Sequence, residues 1–314
     1  MISNYKYFLA LAEELSISKA SEKLFISHQG LSKYLKLLEE EFGIIFFERK
    51  PKFSLTPAGK ILLEKLRQIE LIEKNIYEEI QDIKNSNVGV IRFGITEGRY
   101  SIVIPKLLKK FYKKYPNVKL KIFRKPSLEL QNMIHDNSLD LFLASTDNLE
   151  MTYLKAKTII NESLYVVISD NLLKEYFPAT FPKCKKNFKK GVDLKSFEKV
   201  PFILSEKKLA SRILLDKYLE NASINLNCIN ELAQPEIFLS LASEDYAASF
   251  CLSMYLSGIK QFNSNKNMSN LNIFPIRNFS LRNNLSLIYH KNKKFASYFK
   301  DFMETVKEIC NPYT

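Results

Sequence analysis

A single predicted helix near the start of the chain has two contrasting faces, and it restricts the possible folds more than any other feature. Ser27 is a good N-cap for this helix. Apolar residues then recur with the spacing of a stripe along one face, at Leu31, Leu35, Leu38 and Phe42. The opposite face carries side chains suited to base edges or phosphates, Gln29, Ser32, Lys33 and Lys36. The pattern predicts a helix that packs on one side and binds nucleic acid on the other, although an ordinary packed helix shows similar faces.

Two further helices are predicted before it. A short helix over residues 18–24 turns Ala20 inward, where a methyl group allows close helix crossing, and only a few residues separate it from the next helix. An earlier helix, with Lys6 and Tyr7 facing outward, supplies apolar residues at helical spacing, namely Tyr5, Phe8, Leu9, Ala12 and Leu15. Together the three helices predict a small core.

A hairpin is predicted to follow. Gly43 can end the central helix in a left-handed cap, and residues 46–50 and 53–56 have the composition of two short strands. The tip between them is basic because it contains Lys50 and Lys52. The stretch therefore predicts a winged helix-turn-helix.

Residues 16–59 resemble the DNA-binding domain of LysR-type transcriptional regulators. The family's pattern falls here on Ser16, Ala20, Leu24, Ser27, Gln29, Ser32, Leu38, Glu39, Gly43, Phe47, Glu48, Arg49, Leu55, Thr56, Pro57, Ala58 and Gly59. The departures from this pattern are Ser21 for a second alanine, Phe46 for leucine, and Gly30 inside the helix that begins after Ser27. We call this predicted DNA-contacting helix the reading helix. Glycine costs roughly 0.5–1 kcal/mol relative to alanine within a helix and less in a first turn, which is too little to argue against the motif. Because Gly30 leaves a gap on the face expected to contact DNA, it affects the expected base preference instead.

The resemblance implies that the partner is a double-stranded DNA operator. We expect Gln29 and Ser32 to contact base edges. Phosphate contacts are expected from Lys33, Lys36, Arg49 and Lys52. The full predicted DNA-binding set is Ser27, His28, Gln29, Gly30, Ser32, Lys33, Lys36, Arg49, Lys50 and Lys52.

The net charge of +13 does not lie in this domain. Residues 1–88 hold 13 basic and 13 acidic side chains, so the whole excess lies further along the chain. It is concentrated in residues 106–125 and 183–190. A solvated surface is the favoured interpretation of both runs, and long-range attraction to DNA is the alternative.

A long helix is predicted to connect this domain to the rest of the chain. Thr56 as N-cap and Pro57 at the first helical position begin it, and it runs to about Lys84. Its apolar positions alternate in steps of four and three, interrupted by Glu73, at Leu62, Leu66, Ile69, Ile76, Ile80 and Ile83. A helix of roughly 42 Å is too long to be buried in one small domain. We therefore predict a homodimer seam, as the resemblance also implies, with packing on its own domain as the alternative.

Beyond residue 88 the pattern changes to alternating strands and helices. Strands are predicted over residues 90–96, 118–123, 140–144 and 164–168, with helices over 102–115 and 128–135. This β-α-β-α-β order predicts an α/β fold with a parallel sheet. Later strands are predicted at 202–204, 228–229, 248–251, 271–276 and 285–289, and helices at 213–219, 235–242 and 295–309.

This region resembles the two-lobed, periplasmic-binding-protein-like effector domain of the same family. A shared pattern falls on Pro105, Leu108, Phe111, Tyr115, Pro116 and Val118. The predicted domains are residues 1–58 for DNA binding, 59–87 for the linker helix and 88–314 for effector binding. Within the last, lobe 1 is predicted over 88–164 and 270–310, and lobe 2 over 165–269. Residues 243–248 replace the family's Gly-x-Gly stretch, which implies a different loop shape.

A small ligand is expected beyond the carboxyl ends of these strands, where helix N-termini favour anions. The predicted effector-binding residues are Thr96, Glu97, Arg99, Tyr100, Ser101, Ser145, Ser205 and Gln234. Hydroxyl groups and Arg99 suit a carboxylate, whereas Glu97 suits an amine. We therefore expect a zwitterion. For each residue taken singly, the alternative is that it caps a helix or forms a turn and does not contact a ligand.

Catalysis finds little support in the sequence. It contains no Walker loop, no GxGxxG, no Gly-x-Ser-x-Gly elbow and no His-Glu-x-x-His. The four cysteines are scattered, which disfavours structural zinc and favours plain thiols, with redox sensing as a lesser alternative. We expect neither an enzyme nor a bound cofactor.

The resulting hypothesis is a LysR-type transcriptional regulator, active as a homodimer or a dimer of dimers. Its predicted partners are an operator, a small-molecule effector, a second copy of itself and RNA polymerase. The absence of an apolar run of about 20 residues and of a signal-peptide pattern predicts a cytoplasmic protein without a membrane partner. A cytoplasmic solute-binding or sequestering protein is the main alternative, and a small-molecule enzyme is the third.

Overall fold

The computed structural model describes residues 4–83, 88–147, 149–234, 237–264 and 268–313. The chain divides into two compact units. The first comprises Met1–Asn85, His135–Asn137 and Asn292–Phe295, and the second comprises Ser86–Ile134, Ser138–Lys291 and Ala296–Thr314. The predicted helix end at Lys84 and the predicted domain boundary at residue 87 lie outside the described residues. In the part of the chain described, no helix combines the length and apolarity needed to cross a membrane.

The first unit contains the predicted three-helix core and hairpin. Its elements are α1 (Tyr5–Glu14), α2 (Ile17–Leu24), α3 (His28–Phe42), β1 (Phe47–Glu48), β2 (Ser54–Leu55) and α4 (Pro57–Ile83). The stripe of α3 is buried at Leu31, Leu35 and Leu38, against Phe8 and Ala20 of the preceding helices. The two short strands pair antiparallel, which confirms the hairpin.

Three side chains of this unit lie differently from the prediction. Phe42, the last residue of α3, is 49% exposed because the helix has passed the edge of the core. Leu15 caps α1 in the left-handed conformation and is exposed, whereas Leu11 is fully buried. Tyr7, predicted to face outward, packs edge-to-face on Tyr34 with ring centroids 5.2 Å apart.

Local caps fix the ends of the two central helices. The Ser16 hydroxyl accepts a hydrogen bond from Lys19 N at 3.4 Å, and the Ser27 hydroxyl accepts one from Gly30 N at 3.1 Å. Gly43 ends α3 in the left-handed region, at φ 64°, where glycine has no steric penalty. Both predicted caps of the reading helix are confirmed.

Three residues of the family pattern hold the hairpin of β1 and β2, which we call the wing, against the helices. Glu39 of α3 accepts hydrogen bonds from Phe46 N at 2.8 Å and Phe47 N at 3.2 Å. The Thr56 hydroxyl accepts a bond from Gly59 N at 3.0 Å, as an N-cap does. A Cβ on Gly59 would lie 2.2 Å from the carbonyl oxygen of Phe46, so the backbone crossing requires glycine.

The predicted seam of α4 divides into two halves. Leu66 is buried in the core of the first unit, and Leu62 and Ile69 are partly buried there. Ile76 and Ile80 are 54% and 49% exposed. The first half therefore packs on its own domain, contrary to the predicted continuous seam, and the second half presents apolar side chains outward.

The second unit is built on two five-stranded sheets, one in each lobe. The first sheet has the order β4-β3-β5-β12-β6. Its strands are β3 (Gly89–Ile95), β4 (Val118–Arg124), β5 (Leu141–Ser145), β6 (Leu154–Glu162) and β12 (Asn283–His290). β3, β4 and β5 are parallel, as predicted, whereas β12 runs antiparallel to both of its neighbours, β5 and β6. The helices of this lobe are α5 (Glu97–Lys114), α6 (Ser127–His135) and α12 (Ser297–Cys310).

The second sheet has the order β11-β7-β10-β8-β9. Its strands are β7 (Leu164–Ser169), β8 (Pro201–Ser205), β9 (Asn227–Leu232), β10 (Ala248–Leu252) and β11 (Leu271–Pro275). Its helices are α7 (Asp170–Tyr176), α8 (Cys184–Phe188), α9 (Ala210–Ala222), α10 (Phe238–Ser243) and α11 (Ile259–Ser264). The predicted start of α10 at Pro235 lies outside the described residues.

The structure corrects the prediction for this unit in three respects. β6, α7, α8 and α11 were not predicted. β11 pairs with β7, so the chain returns to the first lobe after Pro275 and not near residue 270. α5 begins at Glu97 rather than at Ile102, because Thr96 is extended and occupies the N-cap position. Residues 97–101, predicted as a loop, are therefore the first turns of a helix.

Candidate functional site

The outward face of α3 brings together the side chains predicted to contact DNA. Gln29, Lys33 and Lys36 are exposed, and Ser32 is half-buried. They lie away from the buried leucines because helix positions three and four apart share a face. Lys36 lies 3.5 Å from Glu40, in an exposed pair that costs little to break. Ser27, His28 and Gly30 complete the exposed first turn.

The wing adds positive charge beside the helices of the first unit. Arg49, Lys50 and Lys52 are exposed at and around its tip. Arg49 Nη2 lies 4.0 Å from Glu39 Oε2, at the limit of an ion pair. The positive charge beside α3 is therefore local, since the basic and acidic residues of positions 1–88 balance overall.

A cavity of about 270 Å³ lies between the two lobes of the second unit, and we call it the interlobe cavity. Its lining residues are Glu97, Tyr100, Ser101 and Arg124 from the first lobe and Gln234 from the second. Arg124 Nη1 lies 3.0 Å from Glu97 Oε1. The guanidinium carbon of Arg124 lies 5.6 Å from the ring centroid of Tyr100.

Three predicted ligand residues have other partners. Ser145 donates a hydrogen bond to Asp147 Oδ2 at 2.7 Å. Ser205 accepts one from the Ser211 hydroxyl at 3.4 Å. Thr96 precedes α5 and accepts a long bond of 3.4 Å from Arg99 Nη1. The structure therefore brings Glu97, Tyr100, Ser101 and Gln234 together and assigns these three residues local contacts.

Arg99, predicted to hold a carboxylate, is buried in an ion pair. Its Nη2 lies 2.6 Å from Glu162 Oε2, and Asn283 Nδ2 donates to the same oxygen at 2.6 Å. Burial alone would lower the pKa of Arg99, but the charge and hydrogen bond of Glu162, together with the nearby Tyr255 and Cys310, outweigh burial and raise that pKa. Glu162 ends β6 and Asn283 begins β12, so the cluster joins the two strand ends next to the connections between the lobes.

Comparison with known families decides the class of this protein. Residues 2–60 match the profile described as bacterial regulatory helix-turn-helix protein, lysR family. Residues 84–311 match the LysR substrate binding domain. The chain belongs to the LysR family. It is a DNA-binding transcriptional regulator with a substrate-binding domain, and not an enzyme.

Full-length relatives agree with this assignment. The LysR-family chain is 25% identical to a probable RuBisCO transcriptional regulator of Thalassiosira pseudonana over 312 residues, covering 96% of each protein. It is 24% identical to the regulator YtlI of Bacillus subtilis, covering 97% of this chain and 92% of YtlI. These relatives span both units, so the two-unit organisation belongs to the family.

Solved structures share the fold. A full-length OxyR from Pseudomonas aeruginosa superposes with a TM-score of 0.69 at 17% identity, covering 98% of this chain and 94% of OxyR. Full-length CbnR complexed with its target DNA gives a TM-score of 0.56 at 17% identity, covering 98% of this chain and 99% of CbnR. At these identities the likeness establishes the architecture, including the two-lobed domain.

One cavity residue of this LysR-family protein was missed from the sequence. Arg124 is the last residue of β4, one position beyond the predicted strand end. The rule that ligands lie beyond strand ends applies to it equally, and the correct strand length would have included it. Arg124 therefore stands where the prediction placed Arg99.

Gly30 gives the first testable prediction for the reading helix. A Cβ there would lie 3.0 Å from the Ser27 hydroxyl, so Gly30→Ala presses lightly on the cap while gaining helix propensity. We expect the free energy of unfolding to change by less than about 1 kcal/mol. The added methyl group fills a gap on the exposed first turn, so base preference should change. Selection from a randomised site library would show this, and an unchanged preferred site would contradict it.

Proposed function

We propose that this LysR-family regulator reads a double-stranded operator with α3, controlled by a small polar effector in the interlobe cavity. The supporting observation is the exposed polar face of α3 opposite its buried leucines, beside a basic wing. Gln29 and Ser32 contact base edges, and Lys33, Lys36, Arg49 and Lys52 contact phosphates. Ser27, His28, Gly30 and Lys50 complete the surface.

The wing assignment predicts a change in salt dependence. Each phosphate contact contributes about 0.9 to the slope of log affinity against log salt concentration. Arg49→Ala with Lys52→Ala should therefore reduce the slope by about 2 and weaken specific and random DNA binding equally. The matched control is Lys183→Ala with Lys186→Ala, in the basic run of the second unit. An unchanged slope in the wing variant would contradict the assignment, and a reduced slope in the control would show that the basic run also binds DNA.

Self-association is the second part of the proposal. Apolar side chains of the first unit remain exposed along α4 and near its start, at Ile44, Ile45, Ile61, Ile72, Ile76 and Ile80. Exposed apolar side chains in this number favour burial against another chain. A second copy would place two reading helices in successive major grooves about 34 Å apart. We propose a homodimer, and a dimer of dimers where two such pairs meet.

Charged substitutions on the exposed apolar face of α4 test the proposed dimer seam. Ile76→Glu with Ile80→Glu should leave the fold intact, because both side chains are already exposed. We expect the molar mass from light scattering to fall to the 36.6 kDa of one chain. Gln68→Glu, a polar and exposed position of α4, is the control and should not change the mass. A double variant that keeps the mass of the unsubstituted protein would contradict the proposed seam.

The remaining partners follow from the proposed role. A regulator of transcription acts where DNA and RNA polymerase are present, which for this chain means the cytoplasm. Closure of the two lobes around a bound effector would alter the spacing of the reading helices in the dimer. The effector surface proposed for this is the interlobe cavity, with Glu97, Tyr100, Ser101, Arg124 and Gln234.

A further inference from the structure

The interlobe cavity carries one acidic and one basic side chain that face each other. Glu97 Oε1 and Arg124 Nη1 are 3.0 Å apart, and both side chains remain about half exposed. All five described lining residues are polar or charged. The volume of about 270 Å³ is slightly below the range of pockets for drug-sized ligands. The cavity therefore suits a small and strongly polar molecule.

The positive charge available to a ligand here comes from Arg124. The neighbouring Arg99 is buried, and its charge is already matched by Glu162 at 2.6 Å. The ring of Tyr100 lies against the Arg124 guanidinium and limits its orientations, because an aromatic face attracts a cation. At the start of α5 the partial positive charge of the helix end meets the carboxylate of Glu97, which offsets it.

A ligand with a single charge, positive or negative, meets a side chain of the same charge in this cavity. A monoanion that pairs with Arg124 lies beside the Glu97 carboxylate, and a monocation that pairs with Glu97 lies beside the guanidinium. A neutral polyol displaces water from both charged side chains and has no charge of its own to compensate for their lost hydration. A zwitterion with adjacent ammonium and carboxylate groups pairs with both residues at once.

We infer that the effector is a small zwitterion of the α-amino acid class, with its carboxylate on Arg124 and its ammonium on Glu97. The inference rests on the proposed function, since it concerns the effector of the same cavity. Tyr100, Ser101 and Gln234 supply the neutral hydrogen-bonding groups that face the rest of the ligand. Closure of Gln234 towards the first lobe would then depend on the ligand side chain.

Calorimetric titration of the full-length protein tests this inference. The probes are the twenty common L-amino acids, and for each one that binds, its N-acetyl derivative and its primary amide. These derivatives remove the ammonium and the carboxylate charge respectively. We expect at least one amino acid to bind and both of its derivatives to bind at least tenfold more weakly. Failure of all twenty to bind, or equal binding of the N-acetyl derivative, overturns the inference.

Variants connect the binding to the two side chains. Glu97→Gln and Arg124→Gln should each weaken amino-acid binding at least tenfold, because each leaves one ligand charge unpaired. The matched controls are Glu175→Gln and Lys109→Gln, both at exposed positions outside the cavity, and they should bind as the unsubstituted protein does. Binding that is unaffected by Glu97→Gln would place the ligand elsewhere and overturn the inference.

The failure of this inference and the failure of effector control are distinguishable. DNA affinity is measured with and without each bound probe. An amino acid that binds at Glu97 and Arg124 but leaves DNA affinity unchanged supports the ligand class and contradicts the effector role of the cavity. A purely anionic compound that binds there and changes DNA affinity supports the effector role and overturns the zwitterion.

Discussion

Replacing Glu162 with leucine is expected to lower the free energy of unfolding of the second unit by about 3–5 kcal/mol. The substitution leaves the Arg99 guanidinium charged, buried and without its carboxylate, and only 8% of that side chain is exposed. Asn283 loses the oxygen to which it donates at 2.6 Å. The expected loss is large because an uncompensated buried charge loses its hydration without a replacement.

Urea unfolding followed by circular dichroism measures this loss, and a double variant isolates its cause. Arg99→Met combined with Glu162→Leu removes both charges and should be less destabilised than Glu162→Leu alone, because apolar groups of similar volume replace a buried pair with little cost. The surface pair of Lys157 and Glu304, at 2.6 Å, provides the control. Glu304→Leu should cost less than about 1 kcal/mol. A Glu162→Leu variant within 1 kcal/mol of the unsubstituted protein would show that the buried pair is not required.

Replacing Gln29 with alanine is expected to weaken binding to the specific operator by about tenfold to a hundredfold, with little effect on random DNA. A bidentate amide contact to adenine discriminates by about 1–3 kcal/mol, whereas phosphate contacts carry random binding. Gel shifts on both kinds of DNA measure the two affinities. Gln68→Ala, on the exposed side of α4, is the control. Equal losses on specific and random DNA would instead make Gln29 a general affinity residue.

The first unit was largely predictable because its signals are local. Ser27 and Gly43 fix the ends of α3 through contacts within a few residues, so their types reveal their roles. Glu39, Thr56 and Gly59 belong to the same pattern for a physical reason, since they fasten the wing through backbone groups of neighbouring elements. The exceptions were Leu15 and Tyr7 of α1, and Phe42, whose spacing continued the stripe although the core had already ended.

The second unit was less predictable because its decisive contacts join distant residues. Glu162 lies 63 residues from Arg99 and 121 from Asn283, so no local pattern marks this cluster. β6 is an edge strand whose sequence interleaves lysine and asparagine with isoleucine, and this mixture hid it. The charges of Glu97 and Arg124 were visible in the sequence, but their separation of 3.0 Å required the fold.

The most direct test of the proposed function is selection of genomic fragments by the purified full-length protein. Fragments of the genome that encodes the chain are incubated with the protein at physiological salt, recovered and sequenced, beside the Gln29→Ala variant. Sequence-specific reading by paired α3 helices predicts a few enriched fragments that share a near-palindrome, with half-sites about one helical turn or a multiple apart. The Gln29→Ala variant should lose this enrichment. Retention in proportion to fragment length, without a shared site, would contradict operator reading by α3.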